Sequence, residues 1–286
     1  MSSSYYSVEI FREHHDSQAR QAMTEPQPDI KKAVRRQFTS VAANYSTSAV
    51  HAAGADLSAM LDCATVPENG SLLDAGCGAG HTALAFAPHV RRVVACDLAP
   101  DMLAQTRRLA SARGVDNILL QQGDVEQLPF ASASFDMIVS RYSAHHWPQP
   151  GVALREFARL LEPGGQFILS DIVGQADFAQ DTFLQTFELL RDTSHVRDYS
   201  VGQWLGMMTE AGFAAEVCLH FDLPLNFGEW VTRMRTPDQN SAMIKTLFAG
   251  ASQDIRTAFQ LPDQMDSDDF EFVIHGAVFR AVKGNG

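Results

Sequence analysis

The chain has little positive charge, no paired cysteines and no long apolar run. Its 286 residues carry 22 Lys and Arg against 34 Asp and Glu, a formal charge of −12. Affinity for nucleic acid comes largely from basic side chains that neutralise phosphates. The balance therefore argues against a nucleic-acid partner, while leaving room for a local basic pocket. Four cysteines, Cys63, Cys77, Cys96 and Cys218, are scattered without a CxxC spacing. That pattern suggests neither a disulfide framework nor a zinc site, and predicts small buried thiols in a reducing cytoplasm. No uninterrupted apolar run approaches the ~20 residues of a membrane helix. The opening "MSSSYYSVEIFREHHDSQARQAMTEPQPD" lacks the apolar core of a secretory signal. The expectation is a cytoplasmic protein with no membrane partner. Internal repeats are also missing.

What is present is enough apolar material, 45% of residues, for a sizeable core. Residues 1–28 are polar, end in "EPQP", and read as a disordered tail. From Asp29 a helical pattern starts, with Ile30, Val34, Phe38 and Val41 on one face. A second helix is expected over His51–Cys63, so residues 29–66 form an N-terminal helical cap. Short apolar runs then alternate with helical ones. Strands are expected at Leu72–Ala75, Val93–Asp97, Ile118–Gln121, Phe135–Ser140 and Phe167–Asp171, and helices at Thr82–Ala87, Pro100–Arg113 and Val152–Leu161. This rhythm predicts a doubly wound α/β protein with a mostly parallel sheet. After Asp171 come two more helices, roughly Gln175–Thr193 and Ser200–Ala211, and two late strands, Ala214–Leu223 and Phe270–Val282. Phe178, Phe183 and Phe187 recur at helical spacing and read as core. Between the late strands lies a helical insertion at 226–260, read as a substrate lid, with a homodimer contact as the alternative use of its Trp, Met and Arg residues.

The stretch "SLLDAGCGAGHTALAFA" sets glycine at every second position, Gly76, Gly78 and Gly80, where a strand gives way to a helix. In doubly wound sheets ligands bind at that junction. Glycine there lets the backbone approach a ligand and adopt dihedrals a side chain forbids. The spacing is G-x-G-x-G, not the G-x-G-x-x-G of a dinucleotide fingerprint. Asp97 closes the second strand, at the distance suited to a ribose-binding acid, and Asp124 follows the third, placed to accept from an exocyclic amine. Leu98, Met102 and Val125 could wall an adenine ring, and Asp74 could hold the bend or meet a ligand's ammonium. One acid beside a turn is commonplace; three in order at consecutive strand ends point to a nucleotide-like ligand.

At this point the chain resembles the class I S-adenosylmethionine-dependent methyltransferases. "LLDAGCGAG", "ACDLAPDML", "GDVEQLPF" and "FDMIVSRYSAHHW" are similar to that family's first four motifs, and "LEPGGQFILSD" to the segment entering its fifth strand. The likeness runs from Asp29 to Asp171 and is strongest to the ubiquinone/menaquinone-biosynthesis-type, methyltransferase type 11, small-molecule branch. It implies a Rossmann-like, seven-stranded sheet with a reversed final hairpin, its cofactor-binding core spanning 67–225 and 261–283. It also implies S-adenosylmethionine contacts at Gly76, Cys77, Gly78, Gly80, Asp97, Leu98, Gly123, Asp124, Val125, Ser140 and Arg141, with Tyr45 closing over the methionine part.

Methyl transfer from a sulfonium needs alignment and exclusion of water more than any fixed side chain. A base matters only for a protonated nucleophile. Candidate proton carriers are His145, His146 and His195, since imidazole titrates near neutrality; adjacency of the first two argues against a metal site. Candidate contacts to a small-molecule substrate are Tyr142, Arg191, Arg197, Trp230 and Arg233. Two other classes stay open: a non-catalytic regulatory protein that binds the same cofactor, and an NAD(P)-dependent oxidoreductase. The chain lacks the Y-x-x-x-K pair that the latter would favour.

Overall fold

Gly54, Pro100, Asp177, Ser200 and Asn226 each mark a place where the chain turns into a helix, and the sheet is built between them. The computed structural model describes residues 29–46, 54–66 and 69–284. The expected tail, 1–28, and the start of the second helix lie outside the described residues. The helices are α1 (Asp29–Ser46), α2 (Ala55–Cys63), α3 (His81–Phe86), α4 (Pro100–Ala112), α5 (Pro150–Leu160), α6 (Phe178–Arg191), α7 (Val201–Glu210), α8 (Phe227–Met234), α9 (Asp238–Ala249) and α10 (Gln253–Ala258). The strands are β1 (Ser71–Ala75), β2 (Arg92–Asp97), β3 (Ile118–Gln122), β4 (Phe135–Arg141), β5 (Leu161–Ile172), β6 (Phe213–Asn226) and β7 (Glu271–Lys283).

They form one seven-stranded sheet in the order β3-β2-β1-β4-β5-β7-β6. β1 to β5 pair in parallel, and β7 runs antiparallel to β5 and β6. This is the expected doubly wound sheet with its reversed hairpin. The order turns back on itself between β1 and β4, which opens a crevice at the strand C-termini.

One face of the sheet is covered by α5 and α7 through Leu154, Phe157, Trp204 and Met208. The other is covered by α2, α3 and α4 through Met60, Phe86 and Leu103. A third core holds α6 against the three helices between β6 and β7. At its centre the Phe187 ring lies 5.8 Å from Trp230, 5.2 Å from Phe248 and 6.0 Å from Phe272. Burying each such ring is worth roughly 1.5–3 kcal/mol, so the insertion is fastened to the core by apolar contact. Among the described residues, no helix is long and apolar enough to cross a membrane.

Three expectations are corrected. The helix expected from Gln175 begins at Phe178, because the Asp177 carboxylate caps it by accepting the amides of Ala179 at 2.9 Å and Gln180 at 3.0 Å. That register turns Phe178 outward, 87% exposed, while Phe183 and Phe187 are core. Cys218, expected to be buried, is exposed on β6, an edge strand whose side chains alternate toward solvent.

Candidate functional site

β1 ends in a bend built from three left-handed glycines, with φ of +74° at Gly76, +52° at Gly78 and +87° at Gly80. A side chain would be strained at each. A Cβ on Gly76 would overlap the Ser143 hydroxyl, and one on Gly80 would come within 2.5 Å of Thr106 Cγ2. Gly78 differs: a Cβ there would meet nothing within 4 Å, because its Cα faces an open cleft. The amides of Gly76 and Cys77 both donate to the Cys96 carbonyl at 2.9 Å, and the Thr106 hydroxyl donates to the Gly78 carbonyl at 2.9 Å. β2 and α4 thus fix the bend's shape.

The cleft encloses about 910 Å³, part of it open to solvent, within the usual range for a small-molecule site. Of the residues expected to bind a cofactor, Gly76, Cys77, Gly78, Asp97, Leu98, Met102, Gly123, Asp124, Val125 and Arg141 line it. Asp97 accepts the Gly78 amide on Oδ2 at 2.9 Å and the Ala99 amide on Oδ1 at 2.8 Å. Burial lifts this carboxyl to about 6, against the pull of the Ala99, Gly78 and Leu98 amides. A carboxylate oxygen has a second lone pair, so Asp97 can serve the bend and a ligand together. Asp124 accepts the Glu126 amide on Oδ1 at 3.0 Å, and its Oδ2 meets Lys31 Nζ at 2.6 Å.

Three expected cofactor residues are elsewhere. Asp74 is buried behind the bend, and burial raises it to about 7 despite a bond from the Ala83 amide. Ser140 spends its hydroxyl on the Ala75 carbonyl at 2.7 Å. Gly80 packs on Thr106. The Tyr45 side chain lies outside the described residues.

Arg141 reaches the cleft only in part. Its guanidinium pairs with Asp56 on α2, Nε to Oδ2 at 2.5 Å and Nη2 to Oδ1 at 3.0 Å, and the Ser170 hydroxyl adds a bond to the same carboxylate at 3.1 Å. The guanidinium also stacks 4.7 Å from the centre of the Tyr142 ring. Tyr142 itself sits at φ +50°, a strained value for a tyrosine, held by its amide's bond to the Ser170 carbonyl at 2.9 Å. It lines the cleft on one side and a second cavity of about 500 Å³ on the other.

His145, Arg191, Trp230 and Arg233 line that second cavity. His145 Nδ1 is 2.6 Å from Asp171 Oδ1, and Asp171 is fixed in turn by the amides of Ala144 at 2.7 Å and Ile172 at 2.8 Å. Burial opposes the charge on this imidazole, yet Asp171 and then Asp198 and Glu188 carry it up to about 9. His146 faces the cleft, its Nδ1 3.0 Å from the Ser194 carbonyl; burial and the neighbouring His145 hold it down at about 4. His195 reaches neither cavity: its Nε2 meets Gln185 Oε1 at 3.2 Å, and burial pushes its pKa far down. Arg197, expected to meet substrate, pairs with Asp181 at 2.6 Å and lines neither cavity.

Sequence reasoning missed Lys31 and Asp56. Lys31 on α1 bridges Asp124 and Glu126, the latter at 2.5 Å. Gln37 on the same helix donates to the Met234 carbonyl at 2.8 Å, and Phe38 meets His146 edge-on at 4.8 Å. α1 therefore spans the cleft mouth and joins it to α8.

The chain is similar to known proteins in sequence and in fold. Residues 73–169 match the model of a methyltransferase domain. The chain is 44% identical to the uncharacterised protein YafE of Escherichia coli over 64% of its own length and 88% of that protein's. It is 34% identical to the uncharacterised methyltransferase YcgJ of Bacillus subtilis over 86% of its own length and 97% of YcgJ's. The crystal structure of YcgJ superposes with a TM-score of 0.77, covering 81% of this chain and 99% of the other.

Proposed function

The chain belongs to the class I S-adenosylmethionine-dependent methyltransferases, and we propose that it methylates an oxygen, nitrogen or carbon nucleophile of a small, partly hydrophobic acceptor. One observation carries the reading. The bare glycine bend and the carboxylates of Asp97 and Asp124, from consecutive strand ends, all line a single cleft.

The residues fit an adenosine. Asp97 would accept the ribose hydroxyls in charge-assisted bonds, Asp124 would accept from the adenine amine, and Leu98, Met102 and Val125 offer apolar faces to the ring. The open Cα face of Gly78 leaves room for a ligand to approach the backbone. Bound there, S-adenosylmethionine supplies a sulfonium methyl: the acceptor's lone pair forms the new bond while the carbon–sulfur pair stays on sulfur.

The acceptor's place is the second cavity, which shares the Tyr142 wall with the cleft and is lined by Leu223, Leu225 and Ile274. α8, carrying Trp230 and Arg233, closes it as part of the lid and excludes water from the reacting atoms. Incubation with methyl-labelled S-adenosylmethionine and a panel of phenols, quinols, carboxylates and amines tests the reading. Label is expected in at least one acceptor. A protein that binds the donor yet transfers nothing to the whole panel would favour the non-catalytic alternative.

A further inference from the structure

α2 ends at Cys63, and a bulge in the edge strand β6 brings a second thiol to it. Along β6, Ala215 and Val217 pack on the face covered by α5 and α7, whereas Leu219 and Phe221 pack on the face covered by α2. The face changes because β6 carries one residue more than β7 at this point. Val217 pairs with Phe279 and Leu219 with Val278, which leaves Cys218 as the extra residue. α2 packs against this strand, and the Cys63 side chain is hydrogen-bonded to that of Cys218.

The end of α2 is clamped over the same part of the sheet. The Cys63 thiol donates to the Met60 carbonyl at 3.6 Å. Just beyond it, Gln166 on β5 accepts the Thr65 amide at 3.2 Å and donates to the Thr65 carbonyl at 3.0 Å. Arg280 on β7 donates in turn to Gln166 at 3.0 Å and to Glu216 on β6 at 3.1 Å. Two cysteines far apart in sequence are thus held together by structure on both sides of the contact. Cys218 is exposed and Cys63 half-buried, whereas Cys77 and Cys96 are buried elsewhere.

We propose that Cys63 and Cys218 are a redox pair, closed to a reversible disulfide by exchange with a small disulfide such as glutathione disulfide. Exposure gives Cys218 the first step. Its thiolate attacks one glutathione sulfur, the sulfur–sulfur bond breaks, and one glutathione leaves and takes up a proton. Burial pushes the Cys63 thiol up to about 12, with Cys218 adding to the rise, so Cys63 is the slower partner that closes the bond. It loses its proton to solvent, attacks the Cys218 sulfur and expels the second glutathione. Two cysteine thiols are oxidised by two electrons, and one glutathione disulfide is reduced to two glutathiones. The bond ties α2 to the sheet edge, and the same helix carries Asp56, which holds Arg141 beside the cofactor cleft.

The test incubates the native full-length protein with glutathione disulfide, caps the remaining thiols after denaturation, and maps the peptides by mass. Wild type is expected to give a Cys63–Cys218 linked peptide as its main product, with Cys77 and Cys96 capped. Cys63→Ser should stop at a glutathione adduct on Cys218, and Cys218→Ser should take up glutathione at least about tenfold more slowly. Oxidised wild type should melt about 5 °C or more above the reduced protein, a shift that dithiothreitol reverses and that neither variant shows. The proposal is overturned by a wild type that does not react, that halts at the Cys218 adduct, or that links either cysteine to Cys77 or Cys96. Oxidised protein that melts no higher than reduced protein would equally overturn it. None of these outcomes depends on whether the protein transfers methyl groups.

Discussion

The Asp97 carboxylate accepts the backbone amide of Gly78 at 2.9 Å, so the end of β2 shapes the bend at the end of β1. One side chain thus sets the glycine backbone in place and presents its remaining lone pairs to the same cleft. The bend and the acid are one device, and neither can be altered without the other feeling it.

Substitutions at the glycines should separate fold from binding. Gly80→Ala adds a methyl within 2.5 Å of Thr106 in a left-handed residue, and is expected to cost about 2–4 kcal/mol, from backbone strain plus overpacking. Gly78→Ala meets open space, so it should cost only about 1–2 kcal/mol of stability while its methyl obstructs the cofactor. Thermal melts with and without S-adenosylhomocysteine read both effects. Equal loss of stability in the two variants would contradict the assignment of Gly78 to the cleft.

Lys31 should be what holds α1 across the cleft. Lys31→Met keeps the stem and removes the cation from Asp124 and Glu126. Amide exchange in α1 is expected to speed up by about tenfold, matching the ~1.5 kcal/mol of a charge-assisted hydrogen bond. Unchanged exchange would show that Gln37 and Phe38 suffice.

The buried Asp56–Arg141 pair should be costly to break and cheap to replace. Asp56→Asn leaves a buried guanidinium without its counter-charge, and is expected to lose about 3–5 kcal/mol; Asp56→Leu with Arg141→Met should recover most of it. A denaturant series on the single and double variants measures this. Full additivity of the two losses would contradict the direct pairing.

Two groups give pH signatures of the same sign in different windows, since each binds its proton more tightly in the folded state. The folded pKa of His145 is raised from 6.5 to about 9. Its stabilising effect is therefore complete below pH 6.5 and lost as pH rises through about 9. The gap between wild type and His145→Gln should be about 3 kcal/mol at the acid end and close at the alkaline end. Asp74 is raised from 3.8 to about 7, so ionising it destabilises the fold as pH climbs through that window. Asp74→Asn should gain on wild type progressively between about pH 4 and about pH 7, and hold that gain above pH 7. Melting temperatures across pH read both, and a gap that does not change with pH would contradict either.

The sheet was legible because its signals are local. Gly76, Gly78 and Gly80 announce a left-handed bend, Pro100 opens α4, and apolar runs mark the strands to within a residue at each end. The exceptions are β5, which starts at Leu161 and not Phe167, and β6, which runs on to Asn226 and not Leu223. Asp97 and Asp124 could be picked out because one closes β2 and the other stands two residues past the end of β3. What stayed hidden is made between distant parts of the chain: Lys31 meets Asp124 across 93 residues, and Arg141 meets Asp56 across 85. No pattern at Lys31 distinguishes it from Lys32 beside it. Phe178 was misread for a related reason: the Asp177 cap, not the phenylalanine spacing, fixes which face of α6 turns inward.

Calorimetric titration of S-adenosylhomocysteine into the wild type and Asp97→Ala tests the cofactor cleft most directly. The wild type should bind saturably at one site, and Asp97→Ala should bind about tenfold to a hundredfold more weakly, the loss expected for hydrogen bonds to a charged group. A wild type that takes up no ligand, or an Asp97→Ala protein that binds as the wild type does, would contradict it.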